Sequence, residues 1–395
     1  MKAKDTIIEE LLSRGVEEVI EKKDLERKLR SGKRLRVKFG IDPTGDKIHI
    51  GHAVVYWKLK AFQDLGHQII ILIGDYTAMI GDSSDKEAER QRLTHDAVKQ
   101  NMKNYLKMIG SIIDLEKAEI RYNSEWLKKL SFIDVLDLAA EFKVAQMIER
   151  DNFRQRFENG KPIGLHEFLY PIMQGYDSVA LHADIELGGN DQLFNLMAGR
   201  VLQKRSGQEP QNILTTELLV GSDGKKMSKT APNCVFVNDD PVEMYGKIMA
   251  VNDEFIPHYF KLATDVEMDI IETIEVDLAN NANPRDTKAS LARAIVGRYY
   301  GSKAAVSAEE AWEKQFRAGE MPTDIEDYRA DIKEIADPIG LIANAFSVTK
   351  SEVRRLIDQG GIKLDGAVIS SVEDFHIKTG SIIQLGKRRF KKIVV

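Results

Sequence analysis

The chain has 395 residues, with 57 Lys and Arg against 62 Asp and Glu, for a formal net charge of −5. Its length predicts two or three domains, and 43% hydrophobic with 30% charged residues excludes a mostly disordered chain. Apolar runs such as Ile69 to Ile73 are too short to span a bilayer, and the single cysteine, Cys234, excludes an intrachain disulfide framework or a multi-cysteine metal site.

The first residues are rich in Lys and Glu rather than apolar, which predicts no secretory signal and a cytoplasmic location. Residues 5–30 carry Ile7, Ile8, Leu11, Leu12, Val16, Val19 and Ile20 at helical spacing. Leu35 to Ile41 alternates as a strand does, and Asp42-Pro-Thr-Gly45 stops it. His52 to Leu65 is helical in pattern, with Gly66 ending it. Gln68 to Gly74 is a continuous β-branched run, the mark of a strand buried on both faces. Strand, helix, strand at this spacing predicts a parallel βαβ unit and a doubly wound parallel sheet, an α/β fold of Rossmann-like type.

Residues 92–156 read as mainly helical, with a short strand from Ala118 to Tyr122 before Asn123. Leu165 to His182 is helical but broken in phase by Pro171, and Asp184 to Gly188 is a strand entering a Gly-Gly turn. Residues 239–317 are helical again, opened by Asp239-Asp240-Pro241. Gly319 to Asp337, polar and charged, reads as a linker. The last segment carries a short helix, Val353 to Ile357, and three short strands punctuated by glycines. Three parts are expected: an α/β domain over 1–222, a helical domain over 223–330, and a small α+β module over 331–395. Residues 339–395 hold 10 Lys and Arg against 5 Asp and Glu, while residues 1–338 hold 47 against 57. A basic tail on an acidic body fits a nucleic-acid module attached to another activity, and also fits a merely solvated face.

Two short segments carry chemistry. His49-Ile50-Gly51-His52 opens a predicted helix directly after a strand and turn. Residues i and i+3 share a face, Gly51 permits close approach, and the helix N-terminus offers N–H groups to a phosphate. A metal pair or two surface histidines are the alternatives. Downstream, Gly224-Lys-Lys-Met-Ser-Lys-Thr230 puts Lys226 and Lys229 around a small polar pair, on a loop able to close over developing negative charge.

The two segments in this order resemble the class I aminoacyl-tRNA synthetases, whose second signature ends in Ser where Thr230 stands here. Tyr170-Pro-Ile-Met-Gln-Gly-Tyr-Asp177, Gly188-Gly-Asn-Asp-Gln192, Phe39 to Thr44, Met79-Ile-Gly-Asp82 and Val144 to Arg150 are similar to bacterial tyrosyl-tRNA synthetases. The terminal module resembles their S-four-type RNA-binding domain.

The resemblance implies a tyrosine–tRNA ligase. It would make tyrosyl-adenylate from tyrosine and ATP, with Mg²⁺ accompanying ATP, and then charge tRNA(Tyr). It also implies a homodimer, with residues 144–150 near the subunit interface. Position by position, it implies that Asp177 binds the substrate hydroxyl and that Tyr170, Gln174 and Asp82 hold the ammonium group. Gln192 would lie near the carboxylate, Asp191 and Gly189 near the ribose, and Asp42 and Gly40 along the adenylate. Thr44, His49 and His52 would contact phosphates beside Gly51. Lys226 and Lys229 would hold pyrophosphate, with Met227 and Ser228 on the ATP side. Lys38 stands where a second tyrosine binds the substrate hydroxyl in the better-known branch, and is grouped with the tyrosine-binding residues. Arg354, Arg355, Lys363, Lys387 and Arg388 are the RNA-contact candidates. Rival readings are a non-catalytic RNA-binding or splicing protein derived from a synthetase, an unrelated nucleotidyl-transferring ligase, and tryptophanyl specificity.

Overall fold

Five consecutive apolar residues cannot all face one side of a strand, so the run from Ile69 to Ile73 demands cover on both faces. The computed structural model meets that demand, with each of the five almost wholly buried. It describes residues 4–42, 47–79, 95–227, 233–317, 325–335, 337–386 and 389–394. The chain divides into two units, Met1–Glu309 and Glu310–Val395.

The first unit begins α1 (Lys4–Leu11), β1 (Val16–Ile20), α2 (Lys22–Arg30), β2 (Arg36–Ile41), α3 (Ile50–Asp64), β3 (Gln68–Ile73), α4 (His95–Ile109) and β4 (Glu119–Tyr122). Short helices α5 (Ser124–Leu127), α6 (Phe132–Ala139), α7 (Val144–Ile148) and α8 (Asp151–Glu158) follow, then α9 (Leu169–Leu181), β5 (Ile185–Gly189), α10 (Leu193–Arg205) and β6 (Asn212–Thr216). Beyond these the elements are helical: α11 (Pro241–Met249), α12 (Ile256–Ala263), α13 (Met268–Ala279) and α14 (Pro284–Tyr300), followed by α15 (Ser302–Arg317), within which the first unit ends.

The sheet order is β1-β6-β5-β2-β3-β4, parallel throughout except for β1, which pairs antiparallel with β6. The chain winds outward from β2 to β4 on one side, then from β5 to β6 on the other. This is the doubly wound arrangement, and its reversal lies between β2 and β5. Ligands of such sheets sit at the carboxyl ends of the strands beside that reversal.

Local sequence explains the helices that matter here. His49 caps α3, Asp240 accepts the Val242 N–H at the start of α11, and Gly66 turns the chain at φ +88° after α3. Pro171 does not break the helix as its phase suggests. It falls in the first turn of α9, where its missing N–H has no intrahelical acceptor. Gly175 lets α9 lie against α10, since a Cβ there would come 2.9 Å from the Ala198 carbonyl.

Two expectations are corrected. Residues 5–30 are two helices flanking a strand, because Gly15 (φ +61°) and Glu21 (φ +59°) turn the backbone left-handed on either side of β1. Pairing of Val19 with Leu214 and Ile20 with Ile213, far away in sequence, overrides the local helical period. The expected linker also contains structure: Asp327–Arg329 is β7, upstream of the module boundary expected at 331.

The second unit continues with α16 (Ile332–Ile335), α17 (Pro338–Phe346), α18 (Lys350–Asp358), β8 (Ile362–Leu364), β9 (Ala367–Val368), β10 (Ile382–Leu385) and β11 (Arg389–Val394). Its sheet runs β7-β11-β10-β8-β9, with β7 parallel to β11 and the other pairs antiparallel. Leu341, Ile342, Val353, Ile362, Ile383 and Ile393 are central to its own core. Among the described residues no helix is long and apolar enough to cross a membrane.

Candidate active site

The carboxyl end of β2 leads straight into the first chemical segment. Asp42 accepts hydrogen bonds from the Tyr170 hydroxyl (2.8 Å) and the Thr77 hydroxyl (2.8 Å). Gly74, ending β3, is required here, because any Cβ would overlap Asp42 and Thr77. Thr44 lies outside the described residues.

His49 is fastened before α3 begins: it bridges Phe236, and the flanking backbone exchanges Ile50 N–H to Val235 and Val237 N–H to Ile48, both at 2.9 Å. Its Nδ1 accepts the His52 N–H at 3.2 Å as the helix N-cap. The neutral ring therefore carries its proton on Nε2, which makes that atom a donor. The His49 and His52 rings stack at 3.6 Å with 19° between planes, His49 buried and His52 exposed. Gly51 leaves room for this: a Cβ would come 3.0 Å from His49 Nδ1 and 3.3 Å from the Leu219 carbonyl. Stacked imidazoles over a helix N-terminus, with its partial positive charge, suit an anion.

Asp177 lies on α9. It is 2% exposed, and its carboxylate accepts from Trp126 Nε1 at 2.7 Å and Asn123 Nδ2 at 3.3 Å. Burial pushes its pKa up to about 7, opposed by the charge of Lys38 and the Trp126 and Asn123 hydrogen bonds. Asn123 also donates to Thr77 at 3.1 Å, so a chain of hydrogen bonds runs Asp177–Asn123–Thr77–Asp42–Tyr170. Gln174 donates to Glu186 at 3.3 Å. Asp82 lies outside the described residues.

Lys38, expected among the tyrosine-binding residues, is 0% exposed. Its ammonium group has three protons and three acceptors: Glu186 at 2.8 Å, Ser178 Oγ at 2.8 Å and the Gln174 carbonyl at 3.1 Å. No donor is left for a substrate hydroxyl. The donors around Asp177 are Trp126 and Asn123 instead.

At the carboxyl end of β5, Gly189 approaches Asp191, whose Oδ2 lies 3.7 Å from Lys226 Nζ. Gln192 accepts from Asn195 at 2.9 Å, and Gly40 on β2 is exposed with open space where a Cβ would stand. The lysine loop is anchored at its base. Gly224 turns at φ +80° against the Phe255 ring, Val220 bridges Lys226, and Asn233 donates to Asp223 at 2.8 Å. That bond, with the Lys225 N–H, lowers the Asp223 pKa. Met227 is buried, so a nucleotide would meet its backbone rather than its side chain. Ser228, Lys229 and Thr230 lie outside the described residues. In the second unit Arg354 and Arg355 are exposed on α18 and Lys363 is half-buried on β8, while Lys387 and Arg388 lie outside the described residues.

Sequence reasoning missed Thr77, Asn123, Trp126, Glu186 and Asn233. Asn123 and Thr77 follow the ends of β4 and β3, and polar residues just past parallel strands are a usable signal. Trp126 and Glu186 carry no such mark.

Similarity to known proteins agrees with this geometry. The family model described as tRNA synthetases class I (W and Y) matches residues 30–317. A protein of Carboxydothermus hydrogenoformans named Tyrosine--tRNA ligase is 45% identical, over 98% of this chain and 97% of its own. A protein of the same name from Moorella thermoacetica is 43% identical, over 97% and 94%. Among solved structures, tyrosyl-tRNA synthetase of Archaeoglobus fulgidus complexed with L-tyrosine superposes with TM-score 0.62 at 23% identity, covering 77% of this chain and 99% of its own. Plasmodium falciparum tryptophanyl-tRNA synthetase reaches TM-score 0.59 at 13% identity, over 78% and 90%. Those two likenesses concern the fold.

Proposed function

Because the chain belongs to the class I tRNA synthetases (W and Y), we propose that its crevice activates L-tyrosine with ATP and that the chain then transfers tyrosine to tRNA(Tyr). The observation that carries this reading is the hydrogen-bonded chain from buried Asp177 through Asn123 and Thr77 to Asp42. It joins an acceptor suited to a phenolic hydroxyl with the end of β2, beside the stacked histidines. Relatives at 43–45% identity named Tyrosine--tRNA ligase support tyrosine over tryptophan.

In the first step the tyrosine carboxylate, already ionised at neutral pH, attacks the α-phosphorus of ATP. A P–O bond forms as the bond to pyrophosphate breaks. No general base is needed, so positioning and cationic or N–H groups do the work. Asp177 orients the hydroxyl, Tyr170, Gln174 and Asp82 the ammonium group, and Gln192 the carboxylate. Gly40, Asp42, Gly189 and Asp191 take the adenosine part. The phosphates fall to His49 Nε2–H, His52, Thr44, Lys226 and Lys229, and magnesium enters with ATP as part of that substrate. In the second step a hydroxyl of the terminal adenosine of tRNA attacks the mixed anhydride and AMP leaves.

Phenylalanine would leave the Asp177 carboxylate with Trp126 and Asn123 alone, and a missing hydrogen bond to a buried charged group is costly. That supports selectivity without a separate editing site. The basic stretch from residue 339 to 395, with Arg354 and Arg355 exposed, supports a role in holding tRNA, alongside the helical region beyond residue 223. A homodimer is supported by apolar side chains left in the open. Phe132 and Leu165 are each 79% exposed, and Ile133, Leu136, Val144 and Phe157 are exposed beside them in sequence. A cytoplasmic location is in keeping with a single cysteine, buried as a thiol.

ATP–pyrophosphate exchange, one amino acid at a time, tests the reading. Exchange with tyrosine alone is expected. Exchange with none, by folded protein that still binds RNA, would replace it with the non-catalytic alternative.

A further inference from the structure

A lysine in the middle of a parallel sheet calls for a reason. Such strands are apolar on both faces, and Lys38 lies between Val37 and Phe39 with its side chain 0% exposed. Its register partner on the neighbouring strand is Glu186, itself 1% exposed. Burying two charges costs more than an apolar pair of similar size, so stability alone does not account for them.

Their surroundings supply the reason. Lys38 donates to the Gln174 carbonyl and to Ser178 Oγ, two positions one turn apart on α9. Glu186 accepts from the Gln174 side chain at 3.3 Å, from Ser178 Oγ at 3.0 Å and from Gln211 Nε2 at 2.5 Å. Gln211 is fully buried at the base of β6. The two charges thus grip one helical turn from beneath, by its backbone, its serine and its amide. That turn carries Gln174 and Asp177, the residues assigned above to the ammonium group and the hydroxyl. The pair is neutral as a whole. It can fix the turn without adding net charge beside Asp177, where Lys38 favours the ionised carboxylate and Glu186 opposes it.

We propose that Lys38 and Glu186 are a positioning pair that sets the Gln174–Ser178 turn of α9, so that the choice of tyrosine over phenylalanine depends on a buried ion pair that does not touch the substrate. This deepens the ligase reading and rests on it. The register of β2 against β5 then fixes the specificity pocket. A one-residue slip would turn Lys38 to the other face and release the turn.

Three full-length variants test the proposal against a purely structural role. Lys38→Met leaves the Glu186 charge buried and unpaired, and is expected to lower the melting temperature. Adding Glu186→Gln removes that charge and should restore the melting temperature while leaving recognition impaired. In pyrophosphate exchange the double variant is expected to lose about tenfold or more of the tyrosine-over-phenylalanine ratio of kcat/KM. The loss should fall mainly in the KM for tyrosine, with the KM for ATP little changed. Glu186→Gln alone, which keeps the shape, is expected to show a smaller loss in the same sense. It decides the matter if the double variant does not fold. A folded double variant, or failing that a folded Glu186→Gln, with wild-type tyrosine KM and wild-type discrimination would overturn the proposal. Wild-type protein is assayed first: if it exchanges pyrophosphate with no tyrosine dependence, the ligase reading fails and takes the proposal with it. An unchanged variant beside an active wild type removes the proposal alone.

Discussion

Replacing Asp177 by Asn separates the cost of burying a charge from the benefit of having one. The carboxyl group titrates near 7 in the folded chain against 3.8 for an ordinary aspartate. A raised folded-state pKa means that the folded protein binds the proton more tightly than the unfolded chain does. The penalty is therefore absent below the unfolded value, grows as pH rises between the two, and is complete above the folded value. At 1.36 kcal/mol per unit, a shift of about 3 units makes the full penalty about 4 kcal/mol. Of this, about 3 kcal/mol develops between about pH 5 and about pH 8.5.

The substituted amide would carry no charge and no such dependence. It would still accept from Trp126, but its N–H₂ would oppose that of Asn123, a fixed cost of about 1–3 kcal/mol. Urea unfolding of the full-length wild type and Asp177→Asn, followed by tryptophan fluorescence, reads the difference directly. Other groups titrate alike in both proteins and cancel. The variant should be the less stable protein at low pH and gain on the wild type by about 3 kcal/mol across that range. A stability difference that does not change with pH would refute the argument that burial dominates at Asp177.

The other predictions concern neighbouring parts of the same machinery. Trp126→Phe removes the shorter of the two hydrogen bonds to Asp177, raises its pKa further, and should raise the tyrosine KM by about tenfold or more at pH 7. The defect should shrink above about pH 9, where Asp177 ionises again, and equal KM values at both pH values would count against the assignment. His49→Ala should slow adenylate formation by about a hundredfold or more and cost about 1 kcal/mol of stability through the lost helix cap. His49→Asn should recover the stability but not the rate, and recovery of both would assign His49 a structural role. Phe132→Asp combined with Leu165→Asp should convert a dimer to a monomer in sedimentation at micromolar concentration. An unchanged mass would move the interface elsewhere.

The parts of the fold legible in the sequence were those where one local pattern had one meaning. The buried run at 69–73, the capped start of α3 and the Asp240-Pro241 start of α11 each follow from adjacent residues. β1 was not legible, because Val16, Val19 and Ile20 fit a helix equally well until β6 pairs with them. The two histidines and Lys226 announce themselves by residue type. Trp126 and Glu186 do not, since their meaning comes from contacts with Asp177 and Lys38 that only the folded chain creates. The partner of Lys38 was hidden for the same reason: a strand lysine looks alike in sequence whether it faces a ligand or a buried carboxylate.

The borders of the two sheets bear on how this protein behaves when crowded with copies of itself. An unprotected sheet border is a template on which a second chain can add a strand. Here β1 presents exposed Glu17 and Glu18, and β4 presents Glu119 and Arg121, both held in ion pairs. In the second unit the outer strands β7 and β9 span three and two residues. Charge and brevity blunt all four borders, so strand-to-strand aggregation is disfavoured. The homodimer proposed above would instead associate through side chains on the Phe132–Leu165 segment, whose specific packing can stop at two copies where an open border would continue without end.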